Sequence, residues 1–124
     1  MANYPTDHRA PWIDDNGFLR VRTGIGRRTR AAVEKDLAIA VSFAANGTLK
    51  SLWDGRAAVD MDSEAWIPLI RQLESIASAL AVLTSDITTP LATLFQKRVN
   101  SVGIPCQAFS DEESAIAWLK AIEA

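Results

Sequence analysis

SALAVLTSDITTPLATLFQKRVNSVGIPCQAFSDEESAIAWLKAIEA, residues 78–124, is the stretch that decides the fold. Ala79–Leu83 is apolar at every position, as a strand buried on both faces requires. Thr89 is a candidate helix cap, and Pro90 sits at the tolerated first helical position. The helix they open turns Leu91, Leu94, Phe95 and Val102 inward and stops at Gly103. Ile104–Phe109 is a second strand. Ser110-Asp111-Glu112-Glu113 reads as a capping box with Ser110 as the cap and an acidic first turn behind it. The last helix then buries Ala115, Trp118, Leu119 and Ile122. Strand, helix, strand, helix implies parallel pairing through right-handed crossovers.

Toward the N-terminus the same alternation continues. The segment Trp12–Gly24 forms a hairpin, with Asn16-Gly17 suited to a two-residue type I′ turn and Pro11 confining the first arm to a sheet edge. Thr29 caps a helix ending near Asn46-Gly47, whose stripe is Val33, Leu37, Ala40, Val41 and Ala44. Residues 37–43 also alternate as a strand would, but length favours helix. Thr48–Asp54 is a strand and Gly55–Met61 a loop. A helix begins near Asp62 with the stripe Trp66, Leu69, Ile70, Leu73, Ile76, Ala77. Pro68 demands either a kink or a later start. The expected fold is α/β, a mostly parallel sheet with an antiparallel hairpin at one edge, in the order β-β-α-β-α-β-α-β-α. Residues 1–124 make one domain, with 1–10 a flexible tail.

A chain with 48% hydrophobic and 23% charged residues is neither disordered nor low in complexity. A net charge of −2 argues against general nucleic-acid binding. Up to Arg30, however, there are six Arg against three Asp, a local basic excess that suits a partner or anion surface or a solvated hairpin. No apolar run is long enough for a membrane, and no apolar leader opens the chain, so the expected location is the cytoplasm. The single Cys106, on a buried strand, suits a small core residue.

Ile104, Pro105, Phe109, Ser110, Asp111, Glu112, Glu113, Ala115, Trp118 and Leu119, together with the earlier strand ending Ser51-Leu52-Trp53-Asp54-Gly55-Arg56, carry a family resemblance. From about Gly17 to Ala121 the chain resembles small bacterial STAS domains, those of sulphate transporters and anti-sigma-factor antagonists. The resemblance implies the SpoIIAA-like fold and a non-catalytic protein-interaction module whose partner is an anti-sigma-type kinase. It also implies a switch. In that family a serine inside an apolar-Asp-Ser pattern at a helix start is phosphorylated, and Met61-Asp62-Ser63 matches the pattern here. Glu64-Ala65 replace the usual Ser-Gly, and Pro68 follows. The alternative is that Asp62 or Ser63 simply caps the helix. Asp60, Asp62, Glu64 and Trp66 surround Ser63 and form the expected partner surface, with the carboxylates opposing a phosphate. A further alternative, since the group shades into CRAL-TRIO-like proteins, is a small apolar-ligand or lipid-binding module.

Other constellations in the sequence compete with that reading. Gly24-Ile25-Gly26 before Arg27 and Arg28 hints at a phosphate loop but lacks the third glycine. Asp54, Asp60 and Asp86 would have to converge beyond the strand ends to hold a metal. His8, the only histidine, lies in the expected tail, away from any nucleophile. No cofactor and no enzymatic activity are therefore expected. Trp12 and Trp66, expected to be partly exposed, are the candidate contact of a homodimer.

Overall fold

The computed structural model describes residues 4–123. The chain runs β1 (Arg9–Ile13), β2 (Leu19–Arg22), β3 (Gly26–Arg28), α1 (Arg30–Phe43), β4 (Leu49–Asp54), β5 (Ala58–Met61), a 3₁₀ turn (Ser63–Ala65), α2 (Trp66–Ile76), β6 (Ala77–Leu83), α3 (Thr89–Ser101), β7 (Cys106–Phe109) and α4 (Glu112–Ala121). One sheet has the order β1-β2-β4-β6-β7. Neighbouring strands from β2 to β7 pair parallel, and β1 alone is antiparallel, to β2. This is the mostly parallel sheet with an edge hairpin that the sequence implies. The molecule also has two strands the sequence hides, β3 and β5, which pair parallel in a small separate sheet. Strands of three and four residues are too short to show an alternation, so Gly55–Met61 looked like loop and Gly24–Gly26 like the start of a phosphate loop.

Strand β6 explains the layering. Leu80 and Val82 point into a core closed by α1, α2 and α3, while Ala79, Ala81 and Leu83 face α4. Small side chains on that second face let Ala115 and Leu119 of α4 approach the sheet closely, beside Leu52 and Phe18. Trp118 was expected inside. It lies half-buried at the rim, tilted against Phe109 with ring centroids 5.7 Å apart. Lys50 reaches under α4, and its ammonium donates to the carbonyls of Leu119 at 2.6 Å and Ile122 at 2.7 Å, closing the helix C-terminus.

Local signals were mostly sound, and the structure decides four points of detail. The hairpin loop is not type I′, because Asn16 keeps a negative φ and only Gly17, at 79°, is left-handed. The Gly17 N–H donates to the Asp14 carbonyl and the Asp14 N–H to the Phe18 carbonyl, a type I turn followed by a glycine bulge. Asp14 Oδ1 stabilises it by accepting from the N–H groups of Asn16 and Phe18. Second, of the two outcomes Pro68 allowed, the later start is the one taken: α2 begins at Trp66, which leaves Pro68 in a first turn where no amide donor is needed. Third, Leu94 is 38% exposed, and the inward face of α3 is Ala92, Phe95 and Val99. Val41 likewise lies outside the α1 stripe of Val33, Leu37, Ala40 and Ala44. Fourth, Asp111 caps α4, not Ser110: its carboxylate accepts from the Ser114 N–H at 2.9 Å and the Ser114 hydroxyl at 2.7 Å. Thr29 caps α1 as expected, accepting from the Ala32 N–H. Thr89 is already helical, and Thr88 precedes it without a side-chain cap bond.

Both edges of the main sheet are closed to further strands. At β7, the Asn100 side chain accepts from the Cys106 N–H at 2.9 Å and donates to the Cys106 carbonyl at 3.3 Å, while Gln96 accepts from the Ala108 N–H at 2.7 Å. Two amide side chains of α3 thus occupy bonding positions that another strand would use. At β1, Pro11 lacks an N–H, and the pairing register slips between Arg9 and Trp12.

Two predictions follow from this packing. Leu80→Ala is expected to cost about 2–5 kcal/mol of stability and Leu94→Ala less than about 0.5 kcal/mol, measured by urea denaturation; similar losses would place Leu94 in the core after all. At α4, Asp111→Ala lowers the denaturation midpoint and Ser110→Ala leaves it unchanged. The two bonds from Ser114 favour the ionised carboxylate and hold the Asp111 pKa below its ordinary 3.8. The cap is therefore fully effective above that value and is lost as the pH falls through the lowered one. Asp111→Ala should show a shallower acid dependence than wild type.

Candidate interaction face

The small β3–β5 sheet positions the residues that the sequence singled out. Its register sets Arg27 opposite Asp60, and Arg27 donates through Nε at 3.1 Å and Nη2 at 2.8 Å to Asp60 Oδ2. The Met61 backbone N–H, and then Arg27, hold the Asp60 carboxyl below its ordinary range. Asp62 does not cap its own 3₁₀ turn. Its Oδ2 accepts from the Arg30 backbone N–H at 3.0 Å, and its Oδ1 lies 3.5 Å from Arg27 Nε. The far end of a separate segment thereby caps the first turn of α1. Arg30 donates to Glu34 at 2.8 Å and lies 4.0 Å from Glu64. Ser63 is exposed at the start of the turn, between these carboxylates.

The arrangement brings Asp60, Asp62, Ser63 and Glu64 onto one face, as the sequence grouped them, but adds two residues that reading had not assigned to it. Arg27 and Arg30 stand beside the carboxylates, so the local field is mixed and not simply acidic. The signal was present in Arg27-Arg28-Thr29-Arg30, but nothing local links that run to a segment more than thirty residues later. Trp66 departs from the expectation. It is buried, 6.2 Å from the Phe95 ring, with the Arg98 guanidinium 4.4 Å over its outer side. At the front of α2 its inward orientation completes the apolar stripe with Leu69 and Leu73.

The remaining candidates are dispersed. Asp54 binds Arg56 at 2.7 Å in a nearly buried pair, Asp60 is held by Arg27, and Asp86 is exposed. Among the described residues no group of three His, Cys, Asp or Glu is close enough to hold a metal. Burial pushes the Cys106 thiol up to about 12, which keeps it protonated and unreactive. Residues 1–3 of the expected tail lie outside the described residues. From Tyr4 onward the segment has partners: Tyr4 lies under Arg56, Asp7 meets Arg22, and His8 Nε2 sits 3.0 Å from Asp36. Gly24 packs closely on this segment, where a Cβ would come 3.3 Å from the His8 backbone nitrogen. Asp36 also receives Arg28 at 2.7 Å, in an ion pair whose side chains are 2% and 8% exposed.

Comparison with known proteins agrees with this architecture. A family model described as a domain of unknown function, DUF7793, matches residues 16–123. The chain belongs to that family. Among curated proteins, none matches the sequence. Two solved structures share the fold. One is an uncharacterised protein of the DUF3478 family with a SpoIIAA-like fold from Shewanella loihica PV-4, at 17% identity and a TM-score of 0.68 over 96% of this chain and 98% of that one. The other is the anti-sigma factor antagonist SpoIIAA in its unphosphorylated form, at 20% identity and a TM-score of 0.61 over 93% and 99%. The fold is therefore SpoIIAA-like. Among the described residues, no helix is long and apolar enough to cross a membrane.

The buried ion pair behind this face gives a stability prediction. Asp36→Ala leaves Arg28 charged and unpaired and should cost about 3–5 kcal/mol by chemical denaturation. The double replacement Arg28→Met, Asp36→Leu should cost less than that single change. A double variant worse than both singles would show that the pair itself is a net source of stability.

Proposed function

We propose that the chain is a non-catalytic regulatory module that docks a protein partner with the face formed by the 3₁₀ turn, the start of α2 and the β3–β5 pair. In this reading phosphorylation of Ser63 by an anti-sigma-type kinase switches the docking. The observation that carries it is the placement of Ser63: exposed, at the head of α2, in a SpoIIAA-like fold, and flanked by carboxylates already bound to arginines. Adding a dianion there would compete with Asp60, Asp62 and Glu64 for Arg27 and Arg30. The rearrangement of ion pairs, and the freed helix cap at the Arg30 N–H, would redraw the surface without disturbing the core. Asp60, Asp62 and Glu64 contribute the rim of the contact. Trp66 supports it from beneath, being too deeply buried to touch a partner directly.

A homodimer belongs to the same reading, with Trp12 as its remaining aromatic contact. Trp12 is half-buried, with the Arg9 and Arg20 guanidinium carbons 3.7 and 5.4 Å from its ring centre. The sheet edges are closed, so the two copies would meet through side chains.

Affinity capture from extract of the source cells, with wild type, Ser63→Ala and Ser63→Glu as bait, tests the switch. Wild type and Ser63→Ala should retain the same partner, and Ser63→Glu should lose it, while all three denature at the same midpoint. Equal capture by all three removes Ser63 from the mechanism. Sedimentation equilibrium on wild type and Trp12→Ala tests the dimer; a monomeric wild type at the highest soluble concentration overturns it.

A further inference from the structure

A groove of about 300 Å³, broadly open to solvent, lies between α2 and α3. Ile67, Ile70 and Arg71 line it from α2, and Arg98 and Ser101 from α3, with Trp66 beneath the Arg98 guanidinium. Its apolar rim is uncovered: Ile67 is 65% exposed, and Leu94, one turn before Arg98 on α3, is exposed as well. The charges set this groove apart from ordinary surface. Arg20, Arg22, Arg27, Arg28, Arg30 and Arg56 each hold a carboxylate. Arg71 and Arg98 hold none among the described residues, although both line the groove. Glu74, one turn beyond Arg71 on α2, is exposed and pairs with neither. Arg98 is also poised to receive a carboxylate. Its guanidinium carbon sits 4.4 Å from the Trp66 ring centre, so the indole occupies the face of the cation and leaves the N–H donors in its plane available. A guanidinium held this way loses little freedom on pairing.

We propose that this groove docks an acidic amphipathic helix of another protein, its apolar stripe against Ile67 and Ile70 and its carboxylates on Arg71 and Arg98. Backbone chemistry favours a helix. The walls are themselves helices with their backbone groups already bonded, so an extended segment would leave its amides unpaired over apolar side chains, whereas a helix satisfies its own. Charge complementarity selects the flanking residues, since two cations without counter-charges call for carboxylates on either side of the apolar stripe. A second copy of this chain does not present such a helix. The acidic helix α4 buries Ala115 and Leu119 against the sheet and exposes only Glu113, Ser114, Ala117 and Lys120 over its middle turns. A bilayer surface, flat on this scale, would meet the rim at Ile67 and not follow the recess to Ile70. The inference goes beyond the Ser63 reading and does not rest on it.

The test selects binders of the intact protein from a displayed library of helical peptides about five turns long. The library fixes an apolar stripe at helical spacing and varies the flanking positions among Glu, Gln and Lys. Selected peptides should be rich in Glu beside the stripe and, once synthesised, should shift the backbone amide resonances of Ile67, Ile70 and Ser101. Arg71→Glu and Arg98→Gln should each weaken the tightest peptide about tenfold, and higher salt should weaken it further. A peptide with lysine in place of those glutamates should in turn prefer Arg71→Glu to wild type. Arg71 is exposed and makes no side-chain hydrogen bond among the described residues, so the charge reversal there decides the matter even if Arg98→Gln is unstable. The inference is overturned by a selection that yields no binder, by selected peptides as rich in Gln or Lys as in Glu, or by binding that ignores both substitutions. It is equally overturned if phosphatidylglycerol vesicles bind wild type and release Arg71→Glu, or if sedimentation equilibrium shows a dimer that Arg71→Glu dissociates, results that would give the groove to a membrane or to a second copy.

Discussion

The contact between Arg28 and Asp36 sets the geometry of the N-terminal half of the molecule. Two charges are withdrawn almost wholly from water, an arrangement tolerated only at close range and with additional hydrogen bonds. His8 supplies one of those bonds from ahead of β1, so three segments meet at one carboxylate. Because Asp36 sits mid-helix on α1 and Arg28 ends β3, the pair fixes how far the helix lies along the small sheet. That sheet in turn fixes β5, and β5 delivers the Asp60–Glu64 segment to the start of α1, where Asp62 receives the Arg30 amide. A buried charge pair adds little net stability in general. Here its evident effect is positional.

The parts of this fold legible in the sequence are those whose physics is local or periodic. An apolar run such as Ala79–Leu83 can only be a doubly covered strand, and Pro90 and Thr29 mark helix starts by backbone chemistry alone. The readings that failed concern choices decided by distant partners. Leu94 and Phe95 are adjacent and both apolar, and only the position of α3 over Trp53 and Trp66 determines which turns inward. Ser110 and Asp111 are both good caps, and the one that caps α4 depends on where β7 lets the chain turn. At the candidate site, the grouping of Asp60, Asp62, Ser63 and Glu64 was visible because they are neighbours in sequence. Their pairing with Arg27 and Arg30 was not, because it rests on β3 and β5, strands too short to announce themselves.

The exposed turn and the core beneath it are not separate regions. Met61 and Trp66 stand immediately before and after the Asp62–Ala65 segment, and both are buried in the core closed by α1–α3. Whatever packs against them from inside therefore shares its support with the exposed turn outside.

The amide side chains of Gln96 and Asn100 impose a constraint of a different kind on how any partner could attach to the main sheet. Many small α/β and β domains capture peptides by β-augmentation, in which an extended ligand zips its backbone onto a free edge and the affinity depends little on sequence. On β7 those backbone groups are already taken by two side chains that imitate the missing neighbour, and on β1 a proline and a register slip spoil the template. In the proposed reading, recognition around the main sheet is therefore left to side chains at helix starts and loops. A partner docked there would be read by its shape and charge, residue by residue, so its affinity would evolve through individual substitutions and respond to ionic strength, as a generic strand-for-strand exchange would not.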